Sequence, residues 1–148
     1  MGTARLLRVA AAAGVVAVSL SLAAAVSAAV PPTKAKCPSA SVVGATLGIH
    51  LSKLTSKTTT NAKVCSYKTS LNVLAMTIQF QKETAASFAA GENAVAKSLR
   101  TTVKGLGKAA WGSKYGGFLA VFLGSESIRI TAPGASLARL EKLARKLI

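Results

Sequence analysis

Side chains that could perform acid–base or nucleophilic chemistry are scarce in this 148-residue chain. It has one histidine, His50, and four acidic residues, all of them glutamate. A Ser–His–Asp triad uses an aspartate to orient the imidazole, and only a glutamate could take that place here. His50 stands between Ile49 and Leu51 just past a predicted helix, a position typical of a surface or capping histidine. The sequence therefore predicts no enzyme, and a hydrolase built around His50 is the least favoured alternative.

The glutamates do not form a recognisable catalytic or metal-binding arrangement either. Glycoside cleavage needs two carboxyl groups that face one another, and zinc or calcium sites need clusters of ligands. We expect the glutamates on helices and a turn, in solvated ion pairs such as the i, i+4 pair of Glu141 and Arg145. No metal site and no cofactor is expected. The four residues are Glu83, Glu92, Glu126 and Glu141.

One glycine-rich segment resembles a dinucleotide-binding loop. Residues 105–110 read Gly-Leu-Gly-Lys-Ala-Ala, which matches G-x-G-x-x-A. That pattern binds a dinucleotide when it follows a strand and opens a helix, whereas here it follows a predicted helix and precedes a predicted strand. We interpret the segment as a tight turn, with Trp111 and Tyr115 packed nearby.

Two cysteines, Cys37 and Cys65, lie 28 positions apart. In an exported protein an even, small number of cysteines favours a disulfide. In the chain-entropy model such a loop contributes about 3–4 kcal/mol to stability. A redox role is not expected because the chain lacks Cys-x-x-Cys.

The N-terminus has the three parts of a secretory signal. Arg5 and Arg8 precede an apolar run from Val9 to Val26, and small residues follow at 27–29. This order predicts export and cleavage after Ala28, or after Ala29 as the nearest alternative. An uncleaved membrane anchor is the competing interpretation. We therefore predict a signal peptide at 1–28, a linker at 29–36, and one secreted domain at 37–148 without a transmembrane segment.

The charge is strongly positive. The chain has 19 Lys and Arg against 4 acids, and removing Arg5 and Arg8 leaves 17 against 4, a net charge of +13. Such a field attracts polyanions and slows association between like molecules, so we expect a monomer. Outside a bacterium the polyanions are wall polymers, anionic lipid headgroups, nucleic acid and polysaccharide. A merely solubilising surface explains the charge equally well.

Two segments could localise this attraction. The first combines cations with two amphipathic aromatics in one predicted loop: Lys104, Lys108, Trp111, Lys114 and Tyr115. The second is the outer face of the last predicted helix: Arg139, Lys142, Arg145 and Lys146. Specific nucleic-acid binding is not expected, because most aromatics fall on predicted core faces instead of alternating with exposed cations.

The hydrophobic pattern predicts an α+β domain with an antiparallel sheet of about five strands and three helices. Helices are expected from Cys37 to Gly48, Glu83 to Arg100 and Ala135 to Ile148. Residues 50–61 are expected to form a surface loop. Strands are predicted at 62–68, 71–81, 118–123 and 127–131, with a further strand near Trp111.

Several of these features together resemble a known group. They are the Cys37-Pro38 helix, the Cys65-x-Tyr67 strand, the segment from Val103 to Ala110 and the final Lys142-Leu143-Ala144 helix. The chain resembles small actinobacterial secreted proteins and lipoproteins of unknown function. The resemblance implies a PsbP-like sandwich, a Cys37–Cys65 bridge and an envelope location. This chain departs from the group at Lys108, where an acid is common, and it lacks a lipid-bearing cysteine.

These observations favour a non-enzymatic binding module, secreted or associated with the cell wall or envelope. Its expected partners are anionic envelope polymers or lipid headgroups. The alternative is a carrier of a small hydrophobic ligand, with a pocket between sheet and helices near Trp111.

Overall fold

The computed structural model describes residues 35–148, which form one antiparallel sheet with helices on both faces. The predicted leader and most of the predicted linker lie outside the described residues. The strands are β1 (Lys53–Thr58), β2 (Ala62–Lys68), β3 (Leu74–Lys82), β4 (Arg100–Thr102), β5 (Ala109–Ser113), β6 (Phe118–Phe122) and β7 (Glu126–Thr131). The helices are α1 (Ala40–Leu47), α2 (Ala85–Asn93) and α3 (Leu137–Ala144). The α+β class with an antiparallel sheet and three helices is thus confirmed.

The sheet has seven strands in the order β1-β2-β3-β7-β6-β5-β4, so the expected number of about five was wrong. The stretch assigned to a surface loop contains β1, an edge strand whose side chains are nearly all exposed. Because Leu54 is the one residue of β1 that packs against the main core, the segment shows no alternation of apolar and polar residues. The second missed strand, β4, has only three residues and lies at the end of the segment predicted as helix.

The second helix is shorter than predicted. It begins after the N-cap Thr84 and ends at Asn93, and a short 3₁₀ turn from Lys97 to Leu99 then leads into β4. Phe88 is the one buried residue of α2. The apolar residues that follow at three- and four-residue spacing do not continue a helical face, and Leu99 is exposed.

Two apolar clusters hold the layers together. The larger lies between the sheet and the helices α1 and α3, and includes Val43, Leu47, Ile78 and Leu143. The smaller lies on the other face under α2, where Phe88 stacks on Phe122 at 5.4 Å between ring centroids. Since α2 reaches only part of its face, the sheet is covered unevenly.

The N-terminal end of α1 is fixed to β2, the strand next to the edge strand β1. Cys37 and Cys65 form a disulfide, with a Cα–Cα distance of 5.7 Å. The buried Tyr67 hydroxyl, two residues along β2, donates a hydrogen bond to the carbonyl oxygen of Pro38 at 2.8 Å. Burial raises the pKa of Tyr67 and keeps the hydroxyl protonated as a donor. The bridge and this hydrogen bond together attach the chain before α1 to β2.

The helices in the described part of the chain are short. The longest, α2, has nine residues, whereas about 20 are needed to cross a bilayer. Accordingly, none of the helices within residues 35–148 is long and apolar enough to cross a membrane.

Candidate functional site

The structure divides the first predicted binding segment between opposite ends of the sheet. Lys104 and Lys108 lie in the connection from β4 to β5, whereas Lys114 and Tyr115 lie in the turn from β5 to β6. The strand β5 separates the two groups, and at about 3.3 Å per residue it holds them more than about 15 Å apart. These residues therefore do not form one loop.

The glycine-rich segment is the β4–β5 connection. Gly105 and Gly107 both have positive φ, and a Cβ on Gly107 would lie 2.5 Å from the carbonyl oxygen of Phe122. The glycine is needed because the backbone of this connection approaches β6 so closely. The segment is a turn, as interpreted, although a strand and not a helix precedes it.

Trp111 is a core residue. Its side chain is 5 % exposed and packs with Phe88, Phe118 and Phe122 under α2. Its indole Nε1 is buried without a hydrogen-bond partner among the described residues. Trp111 is therefore not available as an exposed stacking platform, and the hydrophobe-carrier hypothesis stays a prediction.

The predicted basic face of α3 is largely occupied in holding the fold. Arg139 donates to the carbonyl oxygen of Leu47 at 2.8 Å, at the C-terminus of α1. Arg145 donates to the carbonyl of Gly105 at 2.9 Å, and Lys146 to the hydroxyl of Thr46 at 3.0 Å. Of the four predicted residues only Lys142 makes no such side-chain hydrogen bond within residues 35–148. The sequence did not reveal that Arg139 and Arg145 bind backbone carbonyl groups or that Lys146 binds a side-chain hydroxyl.

His50 and Glu83 occupy different environments. His50 is exposed and lines an open cleft with Ile49, Ser70 and Leu74. Glu83 was expected in a solvated ion pair, but its side chain is only 2 % exposed. The expectation was wrong for Glu83 because this residue precedes α2 and turns inward beneath it.

Glu83 is the centre of a polar network. Its carboxylate accepts from the guanidinium of Arg129 at 2.7 Å, from the amide of Gln81 at 3.1 Å, and from the hydroxyls of Ser87 and Ser127. Gln81 in turn accepts from the amide of Gln79 at 2.7 Å. The charge and the acceptor oxygens of Glu83 are thus compensated, which is the way a buried carboxylate is tolerated, although the Nε of Arg129 is buried without a partner among the described residues.

The part of the sheet that α2 leaves uncovered forms a polar surface, which we call the open face. Side chains alternate between the two faces of each strand. In β3 the even-numbered residues Met76 to Phe80 are buried in the main core, so the odd-numbered ones lie on the other side. The pairing registers extend this assignment to β1, β2 and β7. The open face comprises Lys53, Thr55, Lys57, Ala62, Val64, Ser66, Lys68, Thr77, Gln79, Gln81, Arg129 and Thr131.

Hydroxyl-bearing residues pair across neighbouring strands of the open face. Thr55 pairs with Ser66, Ser66 with Thr77, and Thr77 with Thr131, so that one hydroxyl from each of four strands forms a row. The neighbouring strands lie about 4.8 Å apart. This hydroxyl row lies between two cationic positions, one on each side along β1.

The cationic positions are Lys53 and Lys57. Lys53 lies directly opposite Lys68 in the β1–β2 register, and Lys57 lies opposite Val64. None of the strand residues of the open face is acidic, and the one carboxylate that reaches it, Glu83, is bound to Arg129. The charges of Lys53, Lys57 and Lys68 are therefore not neutralised by a carboxylate among the described residues. The sequence signal for this surface was the alternation of Lys, Thr and Lys at 53, 55 and 57.

Within residues 35–148, no three His, Cys, Asp or Glu side chains are grouped as metal ligands would be. The arrangement supplies ammonium groups, hydroxyls and amides on a broad surface, which is the chemistry of anion binding. Comparison of the chain with protein-family models, with curated proteins and with solved structures gave no match.

Proposed function

We propose that this chain is an exported, non-enzymatic module that binds an anionic polymer of the cell envelope through the open face. The observation that carries the proposal is the opposition of Lys53 and Lys68 on a surface whose strand residues include no acid. Like charges directly opposite on neighbouring strands lower stability. An anionic ligand that lies between them would relieve that repulsion.

The hydroxyl row gives the surface a second kind of contact. Thr55, Ser66, Thr77 and Thr131 present hydroxyls that can donate to phosphate or carboxylate oxygens. The row crosses four strands, so it spans about 14 Å. A polymer with repeated anionic groups can use several of these donors and the flanking lysines at once, whereas a small anion uses only a few.

An envelope location is part of the proposal. Its support is the three-part leader in the sequence, the Cys37–Cys65 bridge and the net positive charge. We also propose membership of the small actinobacterial secreted proteins that the chain resembles, with their PsbP-like sandwich. The bridge and the presence of helices on both faces of the sheet support this assignment.

The test is retention on isolated Gram-positive cell walls across a salt series. We expect the triple variant Lys53→Gln/Lys57→Gln/Lys68→Gln to lose most of its retention and most of its salt dependence. The matched control removes three exposed lysines elsewhere: Lys36→Gln/Lys82→Gln/Lys142→Gln. Both variants lower the net charge equally, so only a localised site distinguishes them.

Two further arms decide the ligand class. Cell walls from which the anionic polymers have been extracted should retain the wild-type protein only as weakly as intact walls retain the lysine-to-glutamine triple variant at 53, 57 and 68. Equal losses in the two triple variants would mean that the attraction is diffuse, and salt-insensitive retention would mean that it is not electrostatic. Either result overturns the proposal.

A further inference from the structure

One end of the sheet carries most of the exposed large apolar side chains. It is the end at which β2 passes into β3, β5 turns into β6, and the chain enters β1 and β4. We call it the apolar end. Eight large apolar residues are exposed within residues 35–148, and six of them lie here. The six are Ile49, Leu71, Val73, Leu74, Leu99 and Tyr115.

These side chains form two groups, one toward each edge of the sheet. Ile49, Leu71 and Leu74 line one cleft beside Pro133. On the far side, the amide of Lys114 donates to the carbonyl of Leu99 at 2.9 Å, which places Leu99 next to the β5–β6 turn that carries Tyr115. The first group is a contiguous exposed apolar patch, and such a patch marks an interaction site more often than scattered single residues do.

The apolar residues project outward. Leu71 is 82 % exposed and Tyr115 is 79 % exposed, each at the tip of a connection between antiparallel strands. Asn72, with φ of 61°, allows the tight reversal that places Leu71 and Val73 at the tip. Projecting aliphatic tips are suited to penetrating a soft phase, whereas a helix-binding site would be a groove.

The opposite end of the sheet is different. Its connections at 59–61, 103–108 and 123–125 expose threonine, asparagine, lysine, glycine and serine, and no large apolar residue of these connections is exposed. The molecule therefore has a polar end and an apolar end along the strand direction.

Cations surround the apolar end. Lys53 and Lys68 lie beside the β2–β3 tip, and Lys97 and Lys114 beside Leu99 and Tyr115. No acidic residue occurs in the connections at this end, which are 49–52, 69–73, 94–99, 114–117 and 132–136. Aliphatic residues with a tyrosine and a ring of lysines match the profile of an anionic lipid surface, where apolar groups enter the acyl boundary and cations meet headgroups.

We propose that the apolar end docks on an anionic phospholipid bilayer, with Leu71 and Val73 inserted and the lysine ring on the headgroups. The strands then run roughly along the membrane normal, so that Lys57 and the hydroxyl row remain accessible to a polymer while Lys53 and Lys68 contact the headgroups. This surface does not depend on the proposed function, although both surfaces use Lys53 and Lys68.

The experiment places an environment-sensitive fluorophore at one end or the other. Leu71→Cys carries it at the apolar end, and Thr60→Cys carries it in the exposed β1–β2 turn at the polar end. The exported protein is used, with its N-terminus read by mass spectrometry. Phosphatidylglycerol–phosphatidylcholine vesicles should blue-shift the label at position 71 and leave the label at position 60 unchanged, and phosphatidylcholine alone should give a weaker response.

A partition assay uses unlabelled variants. Leu71→Ser/Val73→Ser should weaken vesicle binding by about tenfold or more, whereas Val42→Ser, on the exposed side of α1, should leave it unchanged. Equal spectral shifts at positions 71 and 60, or wild-type partition by the double serine variant, would overturn the proposal. Because that variant keeps all the lysines, its retention on cell walls reports the proposed function separately.

Discussion

Lys53 on the edge strand β1 lies directly opposite Lys68 on β2, and both side chains extend from the face of the sheet that α2 leaves open. Lys68 also donates to the side-chain oxygen of Asn72 at 3.3 Å, which fixes its position beside the β2–β3 tip. The pair concentrates two positive charges at a place where an anion can contact both. Stability and anion binding therefore make opposite demands on these residues.

The first prediction concerns that conflict. Lys53→Thr should raise the free energy of unfolding by about 0.2–1 kcal/mol, because it removes a like-charge pair across neighbouring strands. Lys57→Thr is the control, since its partner across the ladder is the uncharged Val64. Urea denaturation at low and high salt measures both. The gain for Lys53→Thr should shrink at high salt, and a gain that is equal in the two variants would contradict the argument.

The disulfide gives a second prediction. Cys37→Ser/Cys65→Ser should lower the free energy of unfolding by about 3–4 kcal/mol, because the unfolded chain regains the entropy of an open loop. The bridge spans 28 positions. Chemical denaturation with and without reductant tests this, since reductant should affect the wild type and not the variant. A free-thiol assay on the unreduced protein should find no thiol.

A third prediction follows from the Glu83 network. Glu83→Ala should lower the free energy of unfolding by about 2–4 kcal/mol, because it leaves the Arg129 guanidinium and the buried Ser127 hydroxyl without their acceptor. Glu141→Ala, on the half-buried surface of α3, is the comparison and should cost about 1 kcal/mol or less. A double-mutant cycle with Arg129→Ala should show strong coupling, and additive effects would refute the network.

The fourth prediction concerns Arg139. Arg139→Gln should lower the free energy of unfolding by about 1 kcal/mol, because α1 loses a cationic donor at its C-terminal carbonyl groups. Lys142→Gln removes the same charge from the same helix and should change stability by less than about 0.5 kcal/mol. Thermal denaturation of the two variants measures the difference. Equal effects would show that the charge of α3, and not the Leu47 contact, is what matters.

The sequence was most informative where one face of an element is buried. Leu74 to Gln81 alternate clearly because the main core covers one side of β3, and the strand was predicted there. The limits predicted for β2, residues 62 and 68, coincide with the observed limits. Gly48 ends α1 in a left-handed backbone conformation, and the helix was predicted to end at this glycine. In each case the local signal and the packing agree.

Prediction failed where surroundings decide the outcome. Lys53 to Thr58 become a strand through pairing with β2, although Leu54 is the one apolar residue in their own pattern. The cations of α3 could be assigned to its outer side, but not to the carbonyl oxygens of Leu47 and Gly105, which come from distant segments. The open face depends on four strands in register, so it could not be read from any one of them.

The exposed edge of β1 has a consequence for self-assembly. An edge strand offers unpaired peptide groups to any second copy, and natural proteins guard such edges with lysine. Lys53 and Lys57 stand on this edge. A bound polyanion that neutralises these lysines would remove their electrostatic repulsion. Two copies bound to one polymer could then pair through their β1 edges. On the proposed function, the load of anionic polymer would set whether copies stay separate or pair through β1 into dimers.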